Sequence, residues 1–145
     1  MRRIVGAVAL VAIVAAGCAD KNSARTAAGT ATTQVEITMT DNAYSPTAVT
    51  VPKGEKVVFK FTNSGSVEHE AIIGDTTVQD DHAQDMMDGH TMSGMGGDAS
   101  DRTVTVKPGK TAEITTTFDT AGALIIGCHE KGHYEAGMKA MLKVT

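Results

Sequence analysis

Residues 127–138 read Gly127-Cys128-His129-Glu130-Lys131-Gly132-His133-Tyr134-Glu135-Ala136-Gly137-Met138. A thiol, an imidazole five residues on and a thioether five residues after that share one glycine-punctuated loop. The loop lies between two apolar stretches, 123–126 and 140–144. In the second, Ala140, Leu142 and Val144 alternate with Lys139, Met141 and Lys143, which is the period of a half-buried strand. The same alternation recurs upstream in Val35-Ile37-Met39, Val57-Phe59-Phe61 and Ala112-Ile114-Thr116-Phe118. Turn residues separate these stretches, among them Asp41-Asn42, Ser45-Pro46, Asn63-Ser64-Gly65 and Ala121-Gly122. The segments 50–55 and 105–110 look alike, each a strand, a tight turn and another strand. Two such hairpins in one short domain predict an all-β chain folded as a two-sheet sandwich.

The loop residues carry the chemistry. An upstream imidazole, His69, precedes the apolar run Ala71-Ile72-Ile73. His69, Cys128, His133 and Met138 together are two imidazoles, a thiolate and a weak thioether, the donor set of a trigonal blue-copper site with a long axial bond. Soft sulfur selects copper over magnesium or calcium. Gly132 and Gly137 let the loop turn tightly enough to supply three of the four donors. Each donor alone also has a role that needs no metal. Met138 would start the last strand as a core residue, Cys128 would be a small buried hydrophobe, His133 a solvated loop residue, and His69 a surface strand residue between Glu68 and Glu70. All four would have to hold at once.

The C-x4-H-x4-M pattern of Cys128, His133 and Met138 resembles the ligand loop of the cupredoxins, the small blue copper proteins, at the loop length of rusticyanin and sulfocyanin. The resemblance covers residues 34–145 apart from an insert at 75–101. It implies a Greek-key β-sandwich and one type 1 copper ion, with His69, Cys128 and His133 as equatorial ligands and Met138 as the axial one. It also implies a mononuclear electron-transfer carrier whose electrons leave through the edge of His133, not an enzyme. Two residues depart from the family pattern. Glu70 stands where many members have an asparagine that pins the cysteine loop, and His129 matches half of the multicopper oxidases' His-Cys-His relay while Gly127 replaces the other half. Gly132 takes the place where a binuclear copper centre needs its second thiolate, and no His-x-His pair is present for a trinuclear cluster.

The first 33 residues are read by composition. Arg2 and Arg3 precede 14 small and aliphatic residues, too few for a bilayer span of about 20. Residues 1–17 therefore read as an export signal. Small residues directly before Cys18 resemble a bacterial lipoprotein signal, in which Cys18 is lipidated; an ordinary signal with an incidental cysteine is the alternative. Residues 18–33 are small and polar and read as a tether, followed by the domain at 34–145. The expected location is the cell envelope, the protein held to a membrane by its lipid and facing the periplasm or the exterior. If Cys18 carries lipid, Cys128 has no disulfide partner in its own chain. The 145 residues carry a net charge of −4, and losing Arg2 and Arg3 with the leader makes it −6, which disfavours nucleic acid and suits a basic partner surface. Redox proteins such as a cytochrome or an oxidase are the expected partners of a monomer, and Ala136, Gly137 and Met141 would add an apolar docking patch beside His133.

The insert at 75–101 breaks the strand pattern over 27 residues rich in Asp, Gly, His and Met. A short helix is predicted near 80–87, ended by Gly89. His82, Met86 and His90 recur every four residues and would share one helix face, with Met87, Met92 and Met95 adding soft sulfur. The insert is therefore either a candidate second, labile Cu(I) site, as in a periplasmic copper chaperone or scavenger, or a flexible acidic loop whose methionines are incidental or sacrificial to oxidants.

Overall fold

A computed structural model of the chain describes residues 31–87 and 100–145. Alternating apolar residues put one face of each strand inward, and the result is a sandwich of two sheets with nine strands among the described residues. The strands are β1 (Thr32–Thr40), β2 (Ala43–Ser45), β3 (Ala48–Val51), β4 (Lys56–Asn63), β5 (His69–Gly74), β6 (Thr103–Val106), β7 (Thr111–Thr117), β8 (Gly122–Gly127) and β9 (Lys139–Val144). One sheet runs β2-β1-β4-β7 and the other β3-β9-β8-β5-β6, with β1 parallel to β4 and β3 parallel to β9. This is the Greek-key β-sandwich that the ligand loop implied. Strand β1 begins at Thr32, so the last two residues of the expected tether are already sheet.

The core lies where the inner faces meet. Ile37, Met39, Phe59 and Phe61 come from the first sheet, and Ile73, Ile126, Leu142 and Val144 from the second. Phe59 stacks near Phe61 with ring centroids 6.3 Å apart and meets Phe118 edge-on at 6.2 Å. The expected alternation in the last strand holds: Ala140, Leu142 and Val144 are buried, while Lys139, Met141 and Lys143 are exposed.

The two look-alike segments are not hairpins. Strand β3 belongs to one sheet and β4 to the other, and the same is true of β6 and β7. Each segment is a corner that carries the chain across the sandwich. Gly54 N–H donates to Phe118 O at 2.9 Å and Gly109 N–H to Asn63 O at 2.9 Å, so backbone bonds to distant elements fix both corners. A strand-turn-strand pattern is the same for a hairpin and a corner, because only the long-range pairing distinguishes them.

Every residue of β5 is buried, including those on its outer face. The cover is helix α1 (Thr76–Met87), which starts four residues earlier than predicted. Asp75 caps it, its Oδ1 accepting from Val78 N–H at 3.0 Å. Gly74 makes the close approach of helix and strand feasible, since a Cβ there would sit 2.4 Å from Val78 Cγ1. The predicted stop at Gly89 lies outside the described residues.

Gly74→Ala is expected to destabilise the fold by about 1–3 kcal/mol through overpacking against Val78. The pair Gly74→Ala/Val78→Ala should recover most of that loss, as checked by chemical denaturation of the three proteins.

Candidate metal centre

Sheet register builds the site. Strand β8 is antiparallel to both of its neighbours, with Gly127 opposite Ile72 of β5 and opposite Lys139 of β9. The residue after β8 is Cys128, the residue before β9 is Met138 and the first residue of β5 is His69. All three therefore arrive at the same end of one sheet. The loop between β8 and β9 supplies His133.

Cys128 Sγ lies 3.9 Å from His69 Nδ1 and 3.5 Å from His133 Nδ1, and the three donor atoms lie within 4.8 Å of one another. Bonds of roughly 2.0 to 2.3 Å set about 120° apart would place neighbouring donors about 3.5 to 3.8 Å apart, close to both sulfur–nitrogen distances. The two imidazole rings are 5.1 Å apart and tilted by 45°. Cys128, His69 and Met138 are fully buried, whereas His133 is partly exposed.

The loop closes on itself. Cys128 N–H donates to Met138 O at 3.2 Å, Met138 N–H to His133 O at 2.9 Å and His133 N–H to Glu130 O at 2.8 Å. Gly132 and Gly137 have φ of 83° and 98°, a region that side chains disfavour, which is why glycine punctuates this loop. These bonds bring Met138 against the backbone of both other loop donors. All four residues expected as ligands thus come to one end of the fold, three of them with facing donor atoms.

A backbone group supplies the cysteine lock. Glu70 N–H donates to Cys128 Sγ at 3.4 Å, and a peptide N–H does this whatever the side chain. The glutamate side chain turns away, its Oε2 3.3 Å from His82 Nε2. Upstream, Asn63 holds the approach to His69: its Nδ2 donates to Val67 O and Val106 O, both at 2.8 Å, and its Oδ1 accepts from Gly65 N–H at 2.8 Å. Asp41 accepts from the backbone N–H and hydroxyl of Ser66 at 2.8 and 2.7 Å, bonds that hold its carboxyl below the usual range. Its Oδ1 stands 3.6 Å from His69 Nε2, which is buried and has no hydrogen-bond partner among the described residues. A Cβ at position 65 would lie 2.4 Å from that carboxylate and 3.0 Å from His69 Nε2, so only glycine leaves room for the contact. Tyr44 donates its hydroxyl to Glu70 O. In the sequence, Asn63 and Asp41 stand out only as turn residues, and Tyr44 does not stand out.

Burial, with His133 next to it, pushes the His69 imidazole below its ordinary range despite the opposing Asp41 carboxylate. The shift favours the neutral ring, the form that can ligate a metal. The insert divides. His82 is buried against Glu70 and does not share an open face with Met86; His90, Met92 and Met95 lie outside the described residues. Ala136 and Gly137 are exposed beside His133, but Met141 lines a separate groove with Ala48, Val49 and Ala123.

Burial also pushes the Cys128 thiol up to about 11, the Glu70 and Glu130 backbone N–H groups opposing it only in part. In the metal-free protein the folded thiol thus ionises later than the unfolded one. Stability is intact below the ordinary thiol value of 9 and falls as pH rises from there through about 11, by about 3 kcal/mol in all. Urea unfolding of the metal-free protein across this window should show the loss, and Cys128→Ser should lack that part of it.

Comparison with known proteins agrees with this architecture. The family model for the cupredoxin-like domain matches residues 7–138. The copper-resistant cuproprotein CopI of Pseudomonas aeruginosa is 31% identical over 142 residues, covering 81% of this chain and 78% of that protein. The CopI of Rubrivivax gelatinosus is 36% identical over 105 residues, covering 72% and 61%. Among solved structures, auracyanin from Roseiflexus castenholzii superposes with a TM-score of 0.68 at 23% identity, covering 78% of this chain and 97% of that one. Auracyanin A of Chloroflexus aurantiacus, described as a blue copper protein, has a TM-score of 0.63 at 22% identity, covering 79% and 100%. With most of its length matched by the family model and a two-sheet frame shared with the auracyanins, this chain belongs to the cupredoxin-like domain family.

Proposed function

We propose that this chain is a type 1 copper protein and works as an electron-transfer carrier. His69, Cys128 and His133 would hold the ion, and Met138 would complete the set as a weak fourth donor. The observation that carries this is two imidazole Nδ1 atoms facing one buried sulfur at 3.5 and 3.9 Å, with a backbone N–H on the sulfur and backbone bonds closing the loop of Cys128 and His133. Copper bound there would supply a one-electron couple between Cu(I) and Cu(II). The residues supply the rest. A donor set that cannot relax much gives a small reorganisation on electron transfer, and full burial of Cys128 and His69 keeps water out. The partly exposed His133 provides the route by which an electron reaches a partner.

The leader at 1–17 and Cys18 support a lipid-anchored protein at the outer face of a bacterial membrane, with a redox protein as partner. Net negative charge argues against nucleic acid. A second function, copper tolerance by capture or transfer of the metal, is favoured by the names of the relatives, all copper-resistant cuproproteins at 31–37% identity.

The visible spectrum of the oxidised, copper-loaded protein is the direct test. An intense thiolate-to-copper charge-transfer band is expected, lost in Cys128→Ser; a colourless wild type overturns the assignment. Met138→Gln should keep the colour and lower the reduction potential, because a harder donor favours Cu(II). Incubation with a Cu(I) chelator separates the two roles: a carrier keeps its copper through repeated redox cycles, whereas a tolerance protein yields it within minutes.

A further inference from the structure

A second group of donors lies behind the metal centre, on the other side of the Cys128–His129 peptide. The end of α1 and the ligand loop enclose a cavity of about 360 Å³, lined by Met86, Met87, His129, Tyr134, Lys131 and Glu135 among others. Its two full charges are of opposite sign.

His129 is held there in a defined protonation pattern. Gln79 is fully buried, and its Nε2 donates to Ile72 O at 3.0 Å and to Ile125 O at 3.2 Å. Both partners are carbonyls, so the amide cannot be reversed. Its Oε1 therefore faces His129 Nε2, at 2.8 Å, and this nitrogen must carry the proton. The neutral ring then has its lone pair at Nδ1. The Tyr134 ring stacks on His129 at 4.2 Å, the His82 ring meets it edge-on at 5.1 Å, and the Lys139 ammonium lies over the opposite partner, Tyr134. The imidazole is thus fixed in orientation. Histidines that bind metals show the same arrangement, one ring N–H given to an acceptor so that the other nitrogen is aimed and free.

The remaining lining supplies sulfur. Met86 and Met87 end the helix, and Met87 is 76% exposed, an apolar side chain that packing does not explain. We propose that this cavity is a second copper site, binding Cu(I) through Nδ1 of His129 and the thioethers of Met86 and Met87. Two soft sulfurs and a neutral imidazole select the monovalent ion over harder cations. His82, which spacing alone had grouped with Met86, takes no part because Glu70 holds it. The site extends the copper-tolerance function and shares no donor with the His69–Cys128–His133 centre.

The test uses the full chain, reduced and already carrying one Cu(I). Further Cu(I) is added anaerobically in competition with a chromophoric chelator. The wild type is expected to take up a second equivalent, with a shift of the His129 Nδ1 resonance in long-range nitrogen NMR spectra. Met86→Ala/Met87→Ala should lose that equivalent and that shift. The variant should still develop the wild-type visible spectrum on oxidation, since both positions are at least partly exposed. Absence of a second equivalent in the wild type, its persistence in the variant, or an unmoved His129 resonance each overturns the site. A colourless wild type that nevertheless binds Cu(I) through His129 would fault only the first centre.

Discussion

The structure depends on a buried thiol held 3.5 Å from an imidazole nitrogen of its own loop, His133, and 3.9 Å from one that comes from far upstream, His69. Nothing local brings His69 to the loop. Strand β8 has to pair with β5 and β9 at once, in one register, for Cys128 to emerge beside His69 and Met138. A slip of one residue would turn the core face of β8 outward, so the hydrophobic alternation that stabilises the sandwich also sets the donor positions. Backbone bonds then remove the remaining freedom: Glu70 N–H on the sulfur, and the chain of bonds from Cys128 to Met138 to His133 that closes the loop. Because peptide groups do this work, the loop does not depend on the side chain at position 70.

The helical insert buttresses this frame. Gln79 reaches through the sheet's outer face to carbonyls of β5, which opens with His69, and β8, which leads into Cys128. Gly127 admits it: a Cβ there would lie 2.3 Å from Gln79 Oε1. Glu70 and His82, both nearly inaccessible and 3.3 Å apart, tie the helix to the residue after the first donor. A buried pair of this kind is weak evidence of net stability, but each partner satisfies the other's polar groups, and that fixes how the helix sits. The helix therefore contacts the residue following each of two donors, Glu70 after His69 and His129 after Cys128. A perturbation of the helix has a short path to the metal centre.

Much of this was legible in the sequence, and the reasons are physical. Strand alternation follows from a period of two and a single buried face, which is why Ile37, Phe59, Phe61 and Leu142 could be placed in the core. The ligand loop was legible because a thiol, an imidazole and a thioether at short intervals are chemically unusual. What the sequence could not reveal was phase and pairing. Residues 50–55 and 105–110 have the same local signals whether the flanking strands pair or part, and they part. A four-residue spacing puts His82 and Met86 on one side of a helix, but which way that side faces is decided by Val78 and Gln79 packing on the sheet. Asn63 and Asp41 read only as turn residues and Gln79 as nothing in particular, since a lone polar residue shows its partners only once the chain is folded.

The burial that forms the centre also accounts for a free thiol at Cys128. With its ionisation pushed up to about 11, only about one molecule in ten thousand carries a thiolate at neutral pH. Thiolate, not thiol, attacks oxidants and disulfides, so the metal-free protein keeps its sulfur nearly inert. A soft cation held between the two imidazoles would change this, because it would take the proton's place on the sulfur and the proton would leave to solvent. The same cavity thus discriminates twice, excluding water and oxidants while empty of charge and stabilising the thiolate when a soft cation enters. His69 and His133, whose Nδ1 atoms already face the sulfur at 3.9 and 3.5 Å, would share that cation without a side-chain rotation.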